Sequence, residues 1–390
     1  MSEEYDYQCD LNAVRGVIDE IDSQLRPLLE RRMDAAREVA RIKSRAGIPV
    51  LNAKREEEIL NRVRDQSPEY GDALRVVYSS MMDVSRALQH KILGGGKSLR
   101  AEIEAARMHP FLPSAPCSVI CPGVDGSFSS IAARRMFQNG ELHFTEQFAD
   151  VFRSVADGEA DYGVIPIENS WAGSVHESFD LMMKHRLRIA CAVELPVHHC
   201  LVGVKGAQIP AIRQVLSHPQ GLAQCGDYIA AHGFEAVSCS NTATAAMDAA
   251  RQGDLSVAAI ASEETAALYG LEVLERDIQS SSENVTRIIA ISRDLKIADH
   301  ADRISLIFTV PNVTGSLYRL LARFALCGLN LTKLESRPTK DRNFDYYFYL
   351  DFTGSVEQEH TMDLLCALEE ELPVFRFLGN YPEFNQRDPV

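Results

Sequence analysis

No stretch of the sequence approaches the ~18 consecutive apolar residues of a membrane-spanning helix, and Met1–Asp10 is too polar for a secretory leader. The chain is therefore expected to stay in the cytoplasm, with no membrane partner. A disulfide framework is missing too: nine cysteines, an odd number, lie scattered, which fits reduced thiols in a reducing compartment. Positive charge is outnumbered, 40 Lys and Arg against 55 Asp and Glu, for a formal net charge of −15. Such a chain repels nucleic acid, and any anionic ligand must be held by a local cluster of cations. Metal-ligand spacing is absent, because His198, His199 and Cys200 are consecutive and successive strand residues point to opposite faces. Gly94-Gly95-Gly96-Lys97-Ser98 imitates half of a phosphate loop, but Lys91 stands where the first glycine belongs and a helix precedes it, so it reads as linker. No metal and no cofactor is expected.

What remains is a multidomain chain: 390 residues are too many for one ordinary core, and 46% of them are apolar. Leu11, Val14, Ile18, Ile21, Leu25, Leu28 and Val39 recur at helical spacing, which predicts one long helix over Leu11–Arg45. Pro27 lies inside it and predicts a kink, at a cost of about 3 kcal/mol, because the stripe keeps phase on both sides. Helices over Ala53–Arg64 and Asp72–Leu93 complete an all-α region, 1–95. Pro110, Pro113 and Pro116 mark 96–116 as a linker containing one short helix. Strands and helices then alternate through 117–295, an α/β pattern favouring mainly parallel sheets. Region 302–385 restarts as βαββαβ, the ferredoxin-like α+β order.

Arg15, Arg32 and Lys43 lie on or beside the apolar stripe, where a charge must find an opposite charge or a ligand. Interhelical salt bridges are one reading. An anion site is the other, favoured by Arg55-Glu56 opening the second helix and by Ser85 and Gln89, one turn apart on the third. Together these residues resemble the all-helical chorismate mutase family, the N-terminal part of bifunctional proteins; Asn52, a candidate substrate contact, stands where that family has an acidic residue. The resemblance implies rearrangement of a dianion within itself, which needs conformer selection and stabilisation of charge growing on the ether oxygen. Forked arginine donors match two carboxylates, while Lys43 and Gln89 can donate to the ether oxygen. Glu56 either accepts from the substrate hydroxyl or, protonated, reinforces the ether contact. At ~1.5 Å per residue Arg15 and Arg32 are roughly 25 Å apart, too far to grip one small molecule, whereas Arg32 and Lys43 are about 16 Å apart on nearly one face. The spacing implies an intertwined homodimer, or a higher homo-oligomer, in which Arg15 comes from a second chain.

Pro166-Ile167-Glu168-Asn169-Ser170, followed by Gly173-Ser174-Val175, is a buried strand ending in polar residues beside a helix start, where α/β domains bind anions; simple helix capping is the alternative. With Ser217-His218-Pro219-Gln220, Gln224-Cys225, Tyr269-Gly270-Leu271 and Asn284-Val285-Thr286-Arg287, the region resembles prephenate dehydratase over Val119–Ser292. The resemblance implies two lobes like those of periplasmic binding proteins, crossing near Pro196 and Ser282, with the site between them. Prephenate would lose carbon dioxide and its ring hydroxyl together. Thr286 is then the candidate donor to the leaving oxygen, Asn169 and Gln224 position the substrate, and Glu168 orients them or supplies the proton. Ser170, Gly173, Ser174 and Arg287 are candidate substrate contacts, although an arginine placed like Arg287 is more often a structural ion pair.

Asn312-Val313-Thr314-Gly315-Ser316-Leu317 before a helix, and Glu335-Ser336-Arg337-Pro338 after a strand, resemble the ACT regulatory domain of the same bifunctional proteins. That likeness implies a phenylalanine site built from Gly315, Ser316, Leu317, Glu335, Ser336, Arg337 and Pro338. The combined expectation is an isomerase and a lyase in one chain, carrying chorismate to prephenate and prephenate to phenylpyruvate, with feedback control by phenylalanine. Separable regions also predict that removing Asp302–Val390 abolishes the control but preserves much of the mutase rate. Two rivals remain. A non-catalytic amino-acid sensor with degenerate domains is opposed by the retained charged set and Thr286, and a solute-binding protein by the lack of an export signal.

Overall fold

Periodic apolar positions in the first segment carry a single helix, α1 (Tyr7–Ala46), through Pro27 without ending it. The computed structural model describes residues 7–281, 283–339 and 346–384. Helix α2 (Ala53–Asp65) starts at Asn52, whose side chain accepts from the Arg55 amide at 3.0 Å. Helix α3 (Gly71–Leu93) stops at Gly94, held at φ 62, a left-handed conformation that glycine adopts without strain. Helix α4 (Lys97–Met108) is the short helix expected in the linker.

The next strands and helices are β1 (Cys117–Pro122), α5 (Phe128–Met136), β2 (Gly140–Thr145), α6 (Phe148–Asp157), β3 (Tyr162–Asn169), β4 (Gly173–Ser174), α7 (His176–Lys184) and β5 (Arg188–Pro196). The chain then builds β6 (Cys200–Gly203), β7 (Gln214–Ser217), α8 (Pro219–Gln224), α9 (Gly226–His232), β8 (Glu235–Ser238), α10 (Thr242–Gln252), β9 (Val257–Ala261), α11 (Glu263–Tyr269) and β10 (Glu272–Glu275). It continues with β11 (Val285–Ser292), β12 (Arg303–Thr309), α12 (Ser316–Leu326), β13 (Asn330–Pro338), β14 (Tyr346–Thr353), α13 (Glu359–Glu371), β15 (Val374–Tyr381) and β16 (Glu383–Phe384).

Three sheets result, ordered β16-β5-β11-β3-β1-β2 with β4 beside β3, β10-β6-β9-β7-β8, and β13-β14-β12-β15. The first two are mixed, which corrects the expectation of mainly parallel sheets. Strand β11 comes back from the second sheet and inserts antiparallel between β3 and β5, and β6 runs antiparallel to β9 and β10. A strand arriving from another sheet needs no same-sheet crossover, so the parallel rule does not bind it. The outward crossing follows Pro196, as expected. Ser282, near the expected return, and Asn385, the last residue of the C-terminal region, lie outside the described residues. Beside the crossing, the Val197 amide donates to the Asn284 carbonyl at 2.7 Å.

Packing divides the chain into two compact units. One holds the chain up to Arg100 together with Val310–Leu329 and Glu357–Pro373, so α12 and α13 cluster with the N-terminal helices. The other holds Ala101–Thr309, Asn330–Val356 and the chain from Val374. In the helical unit, α1 and α2 pack on α3. Leu11, Val14, Ile18, Ile21, Leu25 and Leu28 nevertheless stay exposed along α1, between 45% and 59%. In the second unit, Val164, Ala190 and Ile288 pack on one face of the first sheet, and Ile165, Ile189 and Ile289 on the other with Tyr349 and Tyr381 of the C-terminal strands.

Candidate functional site

In the helical unit the inner face of α3 is polar. Arg32 donates to the Ser85 hydroxyl at 2.6 Å and to the Met81 carbonyl at 3.4 Å, and Ser85 donates to Met81 at 2.8 Å. Gln89, one turn on, is buried with its amide oxygen unpartnered. Lys43 donates to the Val50 carbonyl; burial pushes its pKa down, while the Glu56 carboxylate pulls it back up. The structure thus joins Arg32 to Ser85 and sets Lys43 within electrostatic reach of Glu56. It leaves Arg15 exposed on the outer part of α1 and Arg55 turned to solvent, 3.5 Å from Glu58. Asn52 spends its side-chain oxygen on the α2 cap, because a residue at that position satisfies an orphan amide first.

Sequence reasoning missed Arg86. It is 7% exposed and donates to Glu56 and Asp83, with its Nε 3.3 Å from Glu371 of α13. Burial alone would raise the Glu371 pKa, but the His90 hydrogen bond and the charges of Arg323 and Arg86 outweigh it and bring it down to about 2. No spacing rule could link Arg86 to a residue so far along the chain.

The second unit holds a cavity of about 740 Å³ between its first two sheets. Asn169, Gln224 and Thr286 all line it, although they come from β3, α8 and β11. The Asn169 amide oxygen accepts from the Trp171 and Ala172 amides at 3.1 and 2.8 Å, which fixes which way the side chain faces. Its NH2 group then donates to Asn284 at 2.8 Å and to the Thr286 hydroxyl oxygen at 2.9 Å. A threonine oxygen that accepts here has its own proton left to point elsewhere. Gln224 meets buried His199 at 2.7 Å through its amide oxygen, leaving its buried NH2 group unpartnered. Burial lowers the pKa of His199 and of His218, which also lines the cavity.

Two helix starts open on the same space. Ser127 caps α5 and Asn241 caps α10, and both residues line the cavity with Phe128 and Thr242. Their free amides offer the positive ends that carboxylates prefer. Sequence reading did not pick them out as site residues, although Ser127 and Asn241 each stand as a capping residue before a small-residue helix.

Several expected site residues are kept out of the cavity. Glu168 alternates to the opposite face of β3 from Asn169 and accepts from Lys333 of β13 at 2.7 Å. Ser174 donates to Glu335 at 2.8 Å and accepts from Lys333, and Gly173 pairs with β3 at φ 80. Ser170 ties strand ends together, donating to the Glu283 carbonyl and accepting from the Val285 amide. Arg287 is spent on Asp351, Glu383 and the Tyr381 hydroxyl, so the structural ion pair is its role. Among the effector candidates, Glu335 and Arg337 share one face of β13, where Arg337 forks onto Asp180, while Ser336 and Pro338 are exposed. Gly315 precedes α12 at φ 82, Ser316 is buried with no partner for its hydroxyl, and Leu317 is half-buried. Among the described residues no group of three metal-capable side chains occurs.

Comparison with known proteins bears on both units. A family model described as chorismate mutase type II matches residues 14–90, and one described as prephenate dehydratase matches 119–296. The bifunctional chorismate mutase/prephenate dehydratase of Aquifex aeolicus is 32% identical over 385 residues, spanning 96% of this chain and 98% of that one. The chain belongs to this bifunctional family. It is a chorismate mutase and a prephenate dehydratase in one polypeptide, an enzyme of phenylalanine biosynthesis. The arogenate dehydratase/prephenate dehydratase 1 of Arabidopsis thaliana is 40% identical over 276 residues, covering 67% of this chain and 70% of that protein. Among solved structures, prephenate dehydratase from Arthrobacter aurescens in complex with L-Phe superposes with a TM-score of 0.62 at 30% identity, over 70% of this chain and 92% of that one. The non-catalytic sensor is not favoured.

Proposed function

We propose that the two reactions of this bifunctional enzyme run at the two sites described above, with 1–95 as mutase, 96–116 as linker and 117–295 as a two-lobed dehydratase of periplasmic-binding-protein type. Region 302–385 is an ACT-type domain with phenylalanine as effector, Gly315, Ser316, Leu317, Glu335, Ser336, Arg337 and Pro338 remaining its candidate residues. The solved relative bound to L-Phe supports that effector. The free state of the eight described cysteines fits a cytoplasmic enzyme, and no described helix is long and apolar enough to cross a membrane.

In the mutase, Arg32 and Arg15 of a second chain hold the chorismate carboxylates, and Lys43 with Gln89 meets the ether oxygen as its bond to carbon lengthens. The exposed apolar stripe on α1 supports a homodimer, since a row of six large apolar side chains at the surface calls for a cover.

In the dehydratase, the α5 and α10 starts receive the two prephenate carboxylates. As the bond to one carboxylate breaks, its electron pair enters the ring and carbon dioxide departs. The ring C–O bond breaks in concert, and the oxygen leaves as hydroxide that the Thr286 hydroxyl hydrogen-bonds while keeping its own proton. The observation that carries this reading is the Asn169–Thr286 hydrogen bond, which directs the threonine proton away from Asn169 and toward that departing oxygen. Supplying purified enzyme with chorismate should yield prephenate and then phenylpyruvate, and Asn169→Ala should stop the sequence at prephenate. Phenylpyruvate formed at the normal rate by that variant would refute the assignment.

A further inference from the structure

Arg86, Asp83 and Glu371 form a buried charge cluster around α3 that touches the mutase residue Glu56 but has no part in either reaction described above. Arg86 occupies its centre, with Nη1 on Glu56 Oε2, Nη2 on Asp83 and Nε facing Glu371. Glu371, at the end of α13, also meets His90 Nε2 at 2.7 Å and accepts from Arg323 of α12 at 2.8 Å. Both Glu371 and Arg323 are 7% exposed as side chains, and Asp83 is 5% exposed. One rigid planar guanidinium is therefore pulled by three carboxylates from three directions, and its resting position is where those pulls balance. Arg86 engages one oxygen of Glu56 and leaves the other for a ligand, so it sets the rotation of that carboxylate beside Lys43.

We infer that Glu371 and Arg86 are positioning residues of the mutase site, with Glu371 reaching from the C-terminal helices to hold Arg86, and through it Glu56, in working geometry. This rests on the placement of Glu56 in that site. It also runs against the expectation that removing Asp302–Val390 preserves much of the mutase rate. Without Glu371 the guanidinium shifts toward Asp83 and turns Glu56 with it, and buried Arg323 loses its direct ion-pair partner.

Full-length variants test the inference through kcat and KM for each reaction. Glu371→Gln keeps the shape and removes the charge; it should lower mutase kcat about ten- to hundredfold, the scale of an ångström-sized misplacement, with less change in KM. Dehydratase turnover of added prephenate should not change. Glu371→Asp should recover part of the rate, and Glu371→Gln with Arg86→Lys should be no slower than Arg86→Lys alone, since both act through one contact. Full mutase kcat in Glu371→Gln, additive losses in the double variant, or an equal fall in both activities with lowered melting temperature would each overturn the inference. Glu56→Gln separates the two assumptions. If it is impaired while Glu371→Gln is not, only the positioning role fails; if it keeps full rate, the site reading fails and takes the inference with it.

Discussion

Thr286 can help a hydroxide leave only if its proton faces the substrate, and Asn169 decides that by occupying the oxygen from the other side. Thr286→Ala should therefore lower dehydratase kcat by about a hundredfold, with little change in KM, because the contact strengthens only as the oxygen departs. Thr286→Ser should keep part of the rate. Steady-state kinetics on prephenate would check both, and a change confined to KM would reduce Thr286 to a positioning role. Arg32→Ala and Lys43→Ala should each abolish most mutase activity without touching the dehydratase. Arg287 makes a contrasting case. Asp351 is fully buried against it, so Arg287→Ala should destabilise the fold by roughly 3–5 kcal/mol, the usual cost of stranding a buried charge. Denaturant melts should register that loss while KM for prephenate in the folded fraction stays put.

At the scale of elements, strand β13 and helix α13 show how a regular element can be spent twice. On β13 the residues Lys333, Glu335 and Arg337 share one face and bind Glu168, Ser174 and Asp180, so the motif expected to serve an effector also braces β3, β4 and α7. Helix α13 ends in Glu371, whose folded pKa lies near 2 against an ordinary 4.5. A group with a lowered folded pKa contributes its stability above the unfolded value and loses it as pH falls through the folded one. The Glu371 contribution is thus complete above about pH 4.5 and disappears toward pH 2, amounting to roughly 3 kcal/mol at about 1.4 kcal/mol per pH unit. Melting wild type and Glu371→Gln side by side across pH 2–6 should show the difference between them shrinking as acid is added. A constant difference would mean that Glu371 is not held as an ion.

For the whole molecule, the proposed homodimer, with Arg15 crossing between chains beside the exposed stripe of α1, would make the mutase a property of two chains. Mixing Arg15→Ala with Lys43→Ala protein should restore activity, since one site of each mixed dimer takes Lys43 from one parent and Arg15 from the other. No recovery under proven subunit exchange would remove Arg15 from the site. Phenylalanine should bind the full chain and slow the dehydratase more than the mutase. A difference in affinity for two states of 1–3 kcal/mol, on the order of 5–150-fold, is enough for that control. Calorimetry is the direct check, and Ser336→Ala should raise the concentration needed for inhibition.

Helix α1, the βαββαβ order and the strand ending at Asn169 were legible in the sequence because apolar period and capping chemistry act over neighbouring residues. The residue types proposed for both sites rest on a related reason: a dianion needs arginines and a leaving oxygen needs a donor, whatever the fold. Strand alternation puts Glu168 and Asn169 on opposite faces, so the expectation that both meet the substrate could not hold for the two together. Alternation left open which of them meets the cavity, and the packing of the C-terminal strands against the first sheet decided for Asn169 and drew Arg287 into a buried cluster with Asp351 and Glu383. Mixed sheets, the helix starts at Ser127 and Asn241, and the hold of Glu371 on Arg86 likewise came only from tertiary structure. Each depends on which distant segments come together, and sequence period carries no information beyond its own element.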